Sequence, residues 1–488
     1  MMGRSQEASA KLFYAGFHLN DRVRADNPLR AIQAAIDFDF VRPLVRPLYG
    51  VNGHESVDPA MLLKLMFLLF YEQVFSERAL MERMSERLDW LWFCGLDLDS
   101  DIPDHSVISK ARKRWGVDVF AEFFARVLDQ CVGADLVTGG LVHVDSSILA
   151  AHADKNKLQT ALRLACRKFY DGLEAQDLPL SNARPASPPP NLGSAVSPTD
   201  PDARLTRKNG KTTLGYKDHR VVDDHCGVIT ATATTPANVN DNTLLMDLLE
   251  DHQSNTGQAA GAVAADSAYG TAKNYQQLQD QGVRPAIPHQ QQKGVKGKFG
   301  RDCFHYDAAE DCYVCPAGQK MRPHGKVGDG DHIGYRAAAG VCRVCALRAQ
   351  CTGKTGRTFA RHVLQATIDW ADQLLDTHRG RWMMRRRRIR AEGSFADALQ
   401  HGFKRARWRG LANMTVQNLL IATIQNIRKL MKYARRSTVA GALARAKGSI
   451  LAAMPLLHHK MAFLKHWINQ TLPTRHHGSQ PTPGCCYI

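Results

Sequence analysis

The feature that most constrains the fold is a change of hydrophobic periodicity near residue 140. Before it, apolar residues recur every three or four positions, for example in the segment that Asp58 and Pro59 begin, and this spacing is typical of amphipathic helices. After it come short strand patterns bounded by turn residues, at 141–145, 214–222, 228–235, 259–265 and 283–287. A helix pattern over 271–282 separates the last two of these segments. The sequence therefore predicts an α/β fold that follows an all-helical N-terminal region.

The charge of the chain narrows the range of its partners. The 488 residues carry 64 Lys or Arg against 47 Asp or Glu, a net charge of +17. A chain this basic is expected to bind nucleic acid or an anionic membrane surface. The longest apolar stretch, 61–71, contains Lys64 and is too short to span a bilayer, and the N-terminus lacks the apolar segment of a signal peptide. We therefore expect a cytoplasmic protein that binds nucleic acid and no membrane.

More than half of the net charge lies in one basic segment. Arg379–Gly410 contains eleven Lys or Arg and two acids, Glu392 and Asp397, which gives +9 of the total +17. Like charges one helical turn apart repel by about 0.2–0.5 kcal/mol per pair, and a phosphate backbone would relieve that repulsion. Glu392 lies one turn after Arg388 and one turn before the apolar Phe395, so it is a candidate catalytic acid at the edge of a core. A surface ion pair between Arg388 and Glu392 explains the position equally well.

A second basic surface is predicted in the N-terminal region. Asp104 or Ser106 can cap a helix that presents Lys110, Arg112 and Lys113. Such a face can lie on DNA, as in helix-turn-helix domains. A solvated face of a helical bundle is the alternative interpretation.

Three acids have the sequence setting of a metal-dependent catalytic site. Asp145 and Asp266 each follow a strand pattern, where α/β sheets place ligand-binding residues, and Glu392 follows a helix pattern. Two Mg²⁺ ions about 3.5–4 Å apart, held by carboxylates, can cleave and join phosphodiesters. Clustered acids repel, so one keeps its proton unless a cation joins them. Taken singly, Asp145 can equally be a turn or cap residue and Asp266 an acid at a helix entry.

Five cysteines are clustered downstream of the last strand pattern. Cys312 and Cys315 form one closely spaced pair, Cys342 and Cys345 another, and Cys351 follows. This distribution is typical of a structural zinc site, in which four thiolates surround the metal, rather than of a disulfide framework. Five thiols then compete for four positions. Reduced, buried cysteines without metal are the alternative.

Several motifs resemble those of one protein family. They are 143–147 (His-Val-Asp-Ser-Ser), 197–201 with 215–217, 265–270 (Ala-Asp-Ser-Ala-Tyr-Gly), and 392–398 with 407–411. With the Leu-Phe-Tyr segment at 12–14, the Asp58-Pro59 helix start and the segment 103–106, they resemble the DDE transposases of bacterial insertion sequences. The specific branch has an N-terminal helical domain and a cysteine-rich insert before the last acid. The resemblance spans roughly residues 12–433.

The resemblance implies an RNase H-like catalytic core, an N-terminal all-helical domain and a small zinc-ribbon-like insert. The implied division of the chain is an N-terminal DNA-binding domain at 1–134, a first part of the core at 135–300 with an exposed Pro- and Ser-rich linker at 176–204, a zinc-binding insert at 301–356, a second part of the core at 357–433, and a basic tail at 434–488.

The resemblance also implies the roles of the acids and of nearby cations. Asp145, Asp266 and Glu392 would be catalytic and would hold two Mg²⁺ ions, for which Mn²⁺ can substitute. Related proteins have Tyr and Arg before the third acid; Arg385 stands in the Tyr place and Arg388 in the Arg place. We predict DNA contacts from these two and from other cations of both basic surfaces, which are Lys404, Arg407, Lys110, Arg112 and Lys113.

For the cysteine cluster, the family pattern is Cys-Pro-x-Gly, then Cys-x-x-Cys, then one more Cys. It implies that Cys315, Cys342, Cys345 and Cys351 bind a structural zinc ion and that Cys312 is spare.

The function implied is cleavage of double-stranded DNA at the terminal inverted repeats of an insertion sequence and transfer of the cut strand to target DNA, by a homodimer associated with the nucleoid. Leu399 stands where relatives have Lys, and this motivates an alternative, a transposase-derived DNA-binding protein without catalysis. A related nuclease that hydrolyses DNA without strand transfer is a third possibility.

Overall fold

The computed structural model describes residues 1–3, 18–52, 54–160, 195–208, 210–290, 297–328, 330–338, 340–352 and 356–434. The Leu-Phe-Tyr segment at 12–14, most of the predicted linker and nearly all of the predicted basic tail lie outside the described residues.

Among the described residues up to 133, the regular secondary structure consists of helices joined by loops. The helices are α1 Leu19–Arg22, α2 Pro28–Ala35, α3 Val41–Val45, α4 Pro59–Tyr71, α5 Glu77–Met84, α6 Leu88–Cys94, α7 Ser106–Trp115 and α8 Asp118–Gly133, with a 3-10 turn at Arg46–Leu48. The predicted start of α4 is confirmed, because Asp58 accepts a hydrogen bond from the Ala60 amide at 3.1 Å and Pro59 is the first helical residue.

A mixed sheet follows. Its strands and a small separate pair are, in chain order, β1 Val142–Ala150, β2 Gln159–Thr160, β3 Ala195–Val196, β4 Arg204–Lys208, β5 Lys211–Asp223, β6 Ile229–Pro236, β7 Ala262–Ala264 and β8 Arg284–Ala286. Strand β1 is central: it pairs antiparallel with β5 and parallel with β7. Strand β6 pairs antiparallel with β5, so the predicted hairpin is confirmed, and β8 pairs parallel with β7. Strand β4 extends the edge of β5, and β2 pairs with β3 apart from this sheet.

Helices cover both faces of the sheet. The remaining ones are α9 Leu245–Thr256, α10 Ala272–Asp280, α11 Arg348–Cys351, α12 Gln365–Asp376, α13 His378–Arg387, α14 Gly393–Leu399 and α15 Leu411–Ala434, with 3-10 turns at Asp241–Leu244, Ser267–Tyr269 and Arg301–Cys303. Val144 of β1 packs in one core with α9, α10 and α12. Ala262 and Ala264 of β7 pack with Met383 of α13 on the opposite face. Because strand side chains alternate, Asp145 and Asp266 share the face that α13 covers.

The largest hydrophobic core crosses the predicted domain boundary at residue 134. It joins α4 and α8 of the N-terminal region to Leu149 of β1, Tyr216 of β5 and most of α15. The N-terminal helices therefore share a core with the sheet. No helix among the described residues is long and apolar enough to cross a membrane.

The cysteine-rich insert contains its own antiparallel sheet. Its strands are β9 His305–Asp307, β10 Cys312–Val314, β11 Lys320–Val327, β12 His332–Ala337 and β13 Thr358–His362, which lie in the order β13-β12-β11-β10-β9. The sheet buries a small aromatic core that includes Phe304, Tyr313 and Tyr335. It extends past residue 356, the end of the insert that the family resemblance implied.

Candidate active site

The structure brings Asp145, Asp266 and Glu392 together around one guanidinium group. Arg387 Nη2 lies 3.4 Å from Asp145 Oδ1 and 4.0 Å from Asp266 Oδ2, and Arg387 Nη1 donates to Glu392 Oε1 at 3.1 Å. The three acids come from β1, from the turn after β7 and from the segment after α13. Residues that are far apart in the sequence thus form one acidic cluster with a cation at its centre.

Asp145 lies in the middle of β1 rather than at its end. The sequence pattern placed the end of this strand at Asp145, but β1 continues to Ala150, so that prediction was wrong. The strand continues because Asp145, Ser146 and Ser147 are all paired with β5. Only 8% of the Asp145 surface is exposed. The pKa of Asp145 is raised to about 6 in total: burial raises it most, the Arg387 guanidinium lowers it, and the Asp266 carboxylate raises it.

Asp266 follows β7 and begins the turn before α10, as the sequence predicted. Its carboxylate accepts a hydrogen bond from the Ala268 amide at 3.0 Å, so the 3-10 turn fixes its backbone position. Thr271 caps α10 by accepting from the Asn274 amide at 3.3 Å. Asp266 therefore serves as a turn cap, the alternative that the sequence left open, and also faces the acidic cluster.

Glu392 is presented by a π-helical turn, Arg388–Glu392, between α13 and α14. In an α-helix, residues four positions apart are neighbours, and the sequence allowed a surface pair of Arg388 with Glu392. The wider turn instead brings residues five positions apart together, so Glu392 contacts Arg387 and Arg388 is exposed. Of the two interpretations that the sequence left open, the surface pair of Arg388 with Glu392 is therefore not formed; the arginine one residue earlier takes that place. The Glu392 side chain is 57% exposed, so it faces solvent as well as the cluster.

The segment that carries Glu392 is anchored by a fully buried ion pair. Arg220 of β5 donates to Asp218 at 2.7 Å, to Ser394 Oγ at 3.1 Å and to Gln425 Oε1 at 2.7 Å. Ser394 lies two residues after Glu392, and Gln425 belongs to α15. No feature of the sequence singled out Arg220, because an arginine in a strand pattern usually lies on an exposed face.

Two motifs noted in the sequence, 197–201 and 215–217, meet at the start of α15. Asp200 accepts hydrogen bonds from Tyr216 Oη at 2.5 Å and from the Gly410 amide at 3.0 Å, while Asp202 accepts from the Leu411 amide at 2.9 Å. Acids at a helix N-terminus satisfy its free amides. Asp200 is fully buried. The described end of the predicted linker, 195–204, is therefore not an exposed linker.

The motif 215–217 also serves the site directly. A Cβ atom on Gly215 would lie 1.9 Å from the Leu149 carbonyl oxygen, so only glycine allows β5 to approach β1 here. Lys217 donates to Asp241 at 2.8 Å, and Asp241 accepts from Ser146 Oγ at 2.9 Å. The Ser146 amide donates to Asp145 at 2.9 Å. A hydrogen-bonded network therefore fixes the backbone beside Asp145.

Of the predicted DNA-contacting residues, most are exposed. Arg385, Arg388, Lys404, Lys110 and Lys113 are all on the surface.

Two of the predicted DNA contacts are engaged inside the protein instead. Arg112 is buried, pairs with Glu77 and stacks 3.7 Å from the centre of the Trp408 ring. Arg407 donates to the Leu69 carbonyl at 2.9 Å, and burial lowers its pKa to about 10. Both guanidinium groups join the N-terminal helices to the C-terminal part of the chain, so we do not retain them in a DNA interface.

The four cysteines that the family pattern selects lie around one cavity. Cys315, Cys342, Cys345 and Cys351 line it, whereas Cys312 is buried in β10 and does not. Burial raises the pKa of the Cys351 thiol, the nearby Arg357 lowers it, and the other three thiols raise it again.

In the part of the chain that the structure describes, no three His, Cys, Asp or Glu side chains are placed so that they could hold a metal ion together. The cysteines nevertheless supply the thiol donors of a zinc site, and the acidic cluster supplies the carboxylate oxygens that Mg²⁺ prefers.

Two separate regions of the chain match protein families. Residues 17–114 match a transposase domain family (DUF772), and residues 314–431 match a transposase DDE domain family. The second match includes Glu392 and the four cysteines around the cavity, while Asp145 and Asp266 lie before it.

A curated relative supports the same family. Over 110 residues, the chain is 34% identical to the transposase for insertion sequence element IS1106 of Neisseria meningitidis serogroup B. The aligned stretch covers 22% of this chain and 33% of that relative. The match thus spans about a third of the relative's length. The piggyBac transposase in a synaptic complex with hairpin DNA aligns over 92% of this chain and 84% of its own, with 9% identity and a TM-score of 0.33. The family matches and the curated relative confirm the resemblance to insertion-sequence DDE transposases.

Proposed function

We propose that this chain, with its resemblance to insertion-sequence DDE transposases, cleaves DNA at the ends of an insertion sequence and transfers the cut strand to target DNA. The observation that carries the proposal is that Asp145, Asp266 and Glu392, which come from three separate elements, all lie beside the Arg387 guanidinium. Structural acids are usually paired singly with nearby cations or caps, and a cluster of three facing one space is typical of a metal-dependent site.

The topology of the sheet supports an RNase H-like core. Strands β6, β5 and β1 are antiparallel neighbours, and β7 and β8 continue in parallel on the other side of β1. This order of three antiparallel and two parallel strands is the one expected for an RNase H-like sheet. It supports the fold that the sequence motifs implied, with the first acid on the central strand.

Asp145, Asp266 and Glu392 would hold the divalent ions. When bound, two such ions activate a water or hydroxyl oxygen and neutralise the charge that develops on the phosphate. The protein itself fixes the positions of the carboxylates: the network through Ser146 holds Asp145, and the buried Arg220 holds the segment of Glu392.

We assign DNA binding to the exposed cations on either side of the cluster. Arg385 lies on α13, Arg388 begins the π-helical turn that carries Glu392, and Lys404 follows α14. Each duplex phosphate that such a cation neutralises adds about 0.9 to the slope of log affinity against log salt concentration.

The test is cleavage of a plasmid that carries this reading frame with its flanking genomic DNA. We expect wild-type protein to cut at the element ends in Mg²⁺ or Mn²⁺ and only to bind in Ca²⁺, and Asp145→Asn and Glu392→Gln to bind without cutting. Asp280→Asn, an exposed acid at the end of α10, is the matched control and should cut normally. Cleavage by Asp145→Asn at the wild-type rate would overturn the proposed site.

A DNA-binding protein without catalysis is the second candidate. It is favoured by Leu399, half exposed at the place where relatives have Lys. Divalent-ion-dependent nicking by protein that binds DNA would exclude it. A strand-transfer assay then separates a transposase from a nuclease that only hydrolyses.

A further inference from the structure

Arg387 differs from the arginines beside it. In the run Arg385 to Arg388, the outer two are exposed, and Arg386 binds Asp224 with both Nε and Nη2, at 2.8 and 3.1 Å. The Arg387 side chain is 9% exposed and faces the three acids. The Arg387 side chain points towards the acids because the π-helical turn places Arg387 and Glu392 on the same side of the helix.

The contacts of Arg387 with the acids are loose. Charge-assisted hydrogen bonds between nitrogen and carboxylate oxygen are typically about 2.7–2.9 Å long. The distances from Arg387 to Asp145 and Asp266 are 3.4 and 4.0 Å, and the hydrogen bond to Glu392 is 3.1 Å long. Arg387 Nε is buried without a hydrogen-bond partner among the described residues. The guanidinium thus compensates the charge of the cluster without a tight bidentate bond.

A divalent ion bound by these acids would compete with Arg387 for the same carboxylate oxygens. Mg²⁺ approaches carboxylate oxygens to about 2.0–2.1 Å, and its double charge would repel the guanidinium. Resting on the function proposed above, we propose that Arg387 is an internal counter-cation of the acidic cluster that divalent ions must displace. Arg387 thereby weakens metal binding and keeps the three acids together while no metal is bound.

The test measures metal binding directly and needs no DNA. Free Mn²⁺ is followed by electron paramagnetic resonance as it is titrated into wild-type protein, Arg387→Met and the matched control Arg379→Met, which removes an exposed arginine of the same helix. We expect Arg387→Met to bind Mn²⁺ at least about tenfold more tightly than wild type, and Arg379→Met to stay within about twofold. Asp145→Asn, introduced into the wild type and into Arg387→Met, should abolish this binding in both.

Thermal unfolding provides the second measurement. Without metal, Arg387→Met should melt below wild type, because its three acids repel without a cation, and Mn²⁺ should restore most of the loss. If Arg387→Met folds only when Mn²⁺ is present, the inference is likewise supported. A variant that Mn²⁺ does not recover would show Arg387 to be merely structural.

The outcomes separate this inference from the proposed function. Equal Mn²⁺ affinity of wild type and Arg387→Met, with binding that depends on Asp145, would overturn the role of Arg387 and leave the proposed function intact. Mn²⁺ binding that Asp145→Asn leaves unchanged in both backgrounds would instead overturn the metal site itself.

Discussion

Replacing Arg220 with methionine is expected to destabilise the protein strongly. The Arg220 guanidinium is fully buried beside the fully buried carboxylate of Asp218. It also donates to Gln425 of α15 and to Ser394, two residues after Glu392. Methionine is apolar and has no charge, so the variant loses these contacts and leaves Asp218 without its cation.

The magnitude follows from what remains around Asp218. Removing one partner of a buried ion pair costs about 3–5 kcal/mol. Burial raises the pKa of Asp218 and Arg220 lowers it, so without Arg220 the acid will take up a proton more readily. The carboxyl keeps its contact with Thr232, whose Oγ1 lies 2.7 Å from Asp218 Oδ1. Because protonation and this hydrogen bond soften the loss, we expect the lower end of the range, about 3 kcal/mol.

The assay is urea unfolding at pH 7 followed by circular dichroism. Asp218→Asn combined with Arg220→Met should be at least about 1 kcal/mol more stable than Arg220→Met alone, since no unpaired carboxylate remains buried. Arg207→Met, an exposed arginine on β4, is the control and should stay within about 0.5 kcal/mol of wild type. If Arg220→Met unfolded within about 1 kcal/mol of wild type, the argument from a buried pair would be refuted.

Three further predictions concern pH, DNA and zinc. Burial lowers the pKa of His252 to about 4, so as the pH falls the histidine takes up a proton in the unfolded state before it does so in the folded state. The free energy of unfolding should therefore drop by up to about 3 kcal/mol between pH 6.5 and 4. Urea unfolding should show a weaker pH dependence for His252→Gln. Arg385→Ala should lower the salt slope of DNA binding by about 0.9, measured by fluorescence anisotropy, whereas Arg407→Ala should leave the slope unchanged and lower the melting temperature. Cys345→Ser should lower the zinc content measured by mass spectrometry and the melting temperature, while the exposed Cys303→Ser should change neither.

Each of these has an outcome that contradicts it. A pH dependence of stability in His252→Gln equal to that of wild type would exclude the histidine as its source. If the salt slope of DNA binding were smaller for Arg407→Ala than for wild type, Arg407 would contact DNA after all. Protein purified without zinc but with unchanged stability would reject a structural metal in the insert.

The sequence by itself predicted the elements that depend on local pattern. The strands and the hairpin were recognisable because β-branched and alternating apolar residues mark half-buried strands, and Asp58 and Thr271 were recognisable as caps. Asp145 and Asp266 were selected because each follows a strand pattern, and Glu392 because it lies at the edge of an apolar helix face. The family resemblance then grouped the three acids into one site. Periodicity failed for β1, where the polar run after Val144 conceals a strand that long-range pairing with β5 extends to Ala150.

Tertiary structure alone decided how these parts are used. A π-helical turn changes which arginine meets Glu392, and no propensity marks such a turn in the sequence. Whether an arginine is exposed, as Arg385 is, or buried, as Arg220, Arg387 and Arg112 are, depends on the elements packed against it. Composition fixes the number of charges, but burial and pairing are properties of contacts between distant segments, and those contacts exist only in the folded chain.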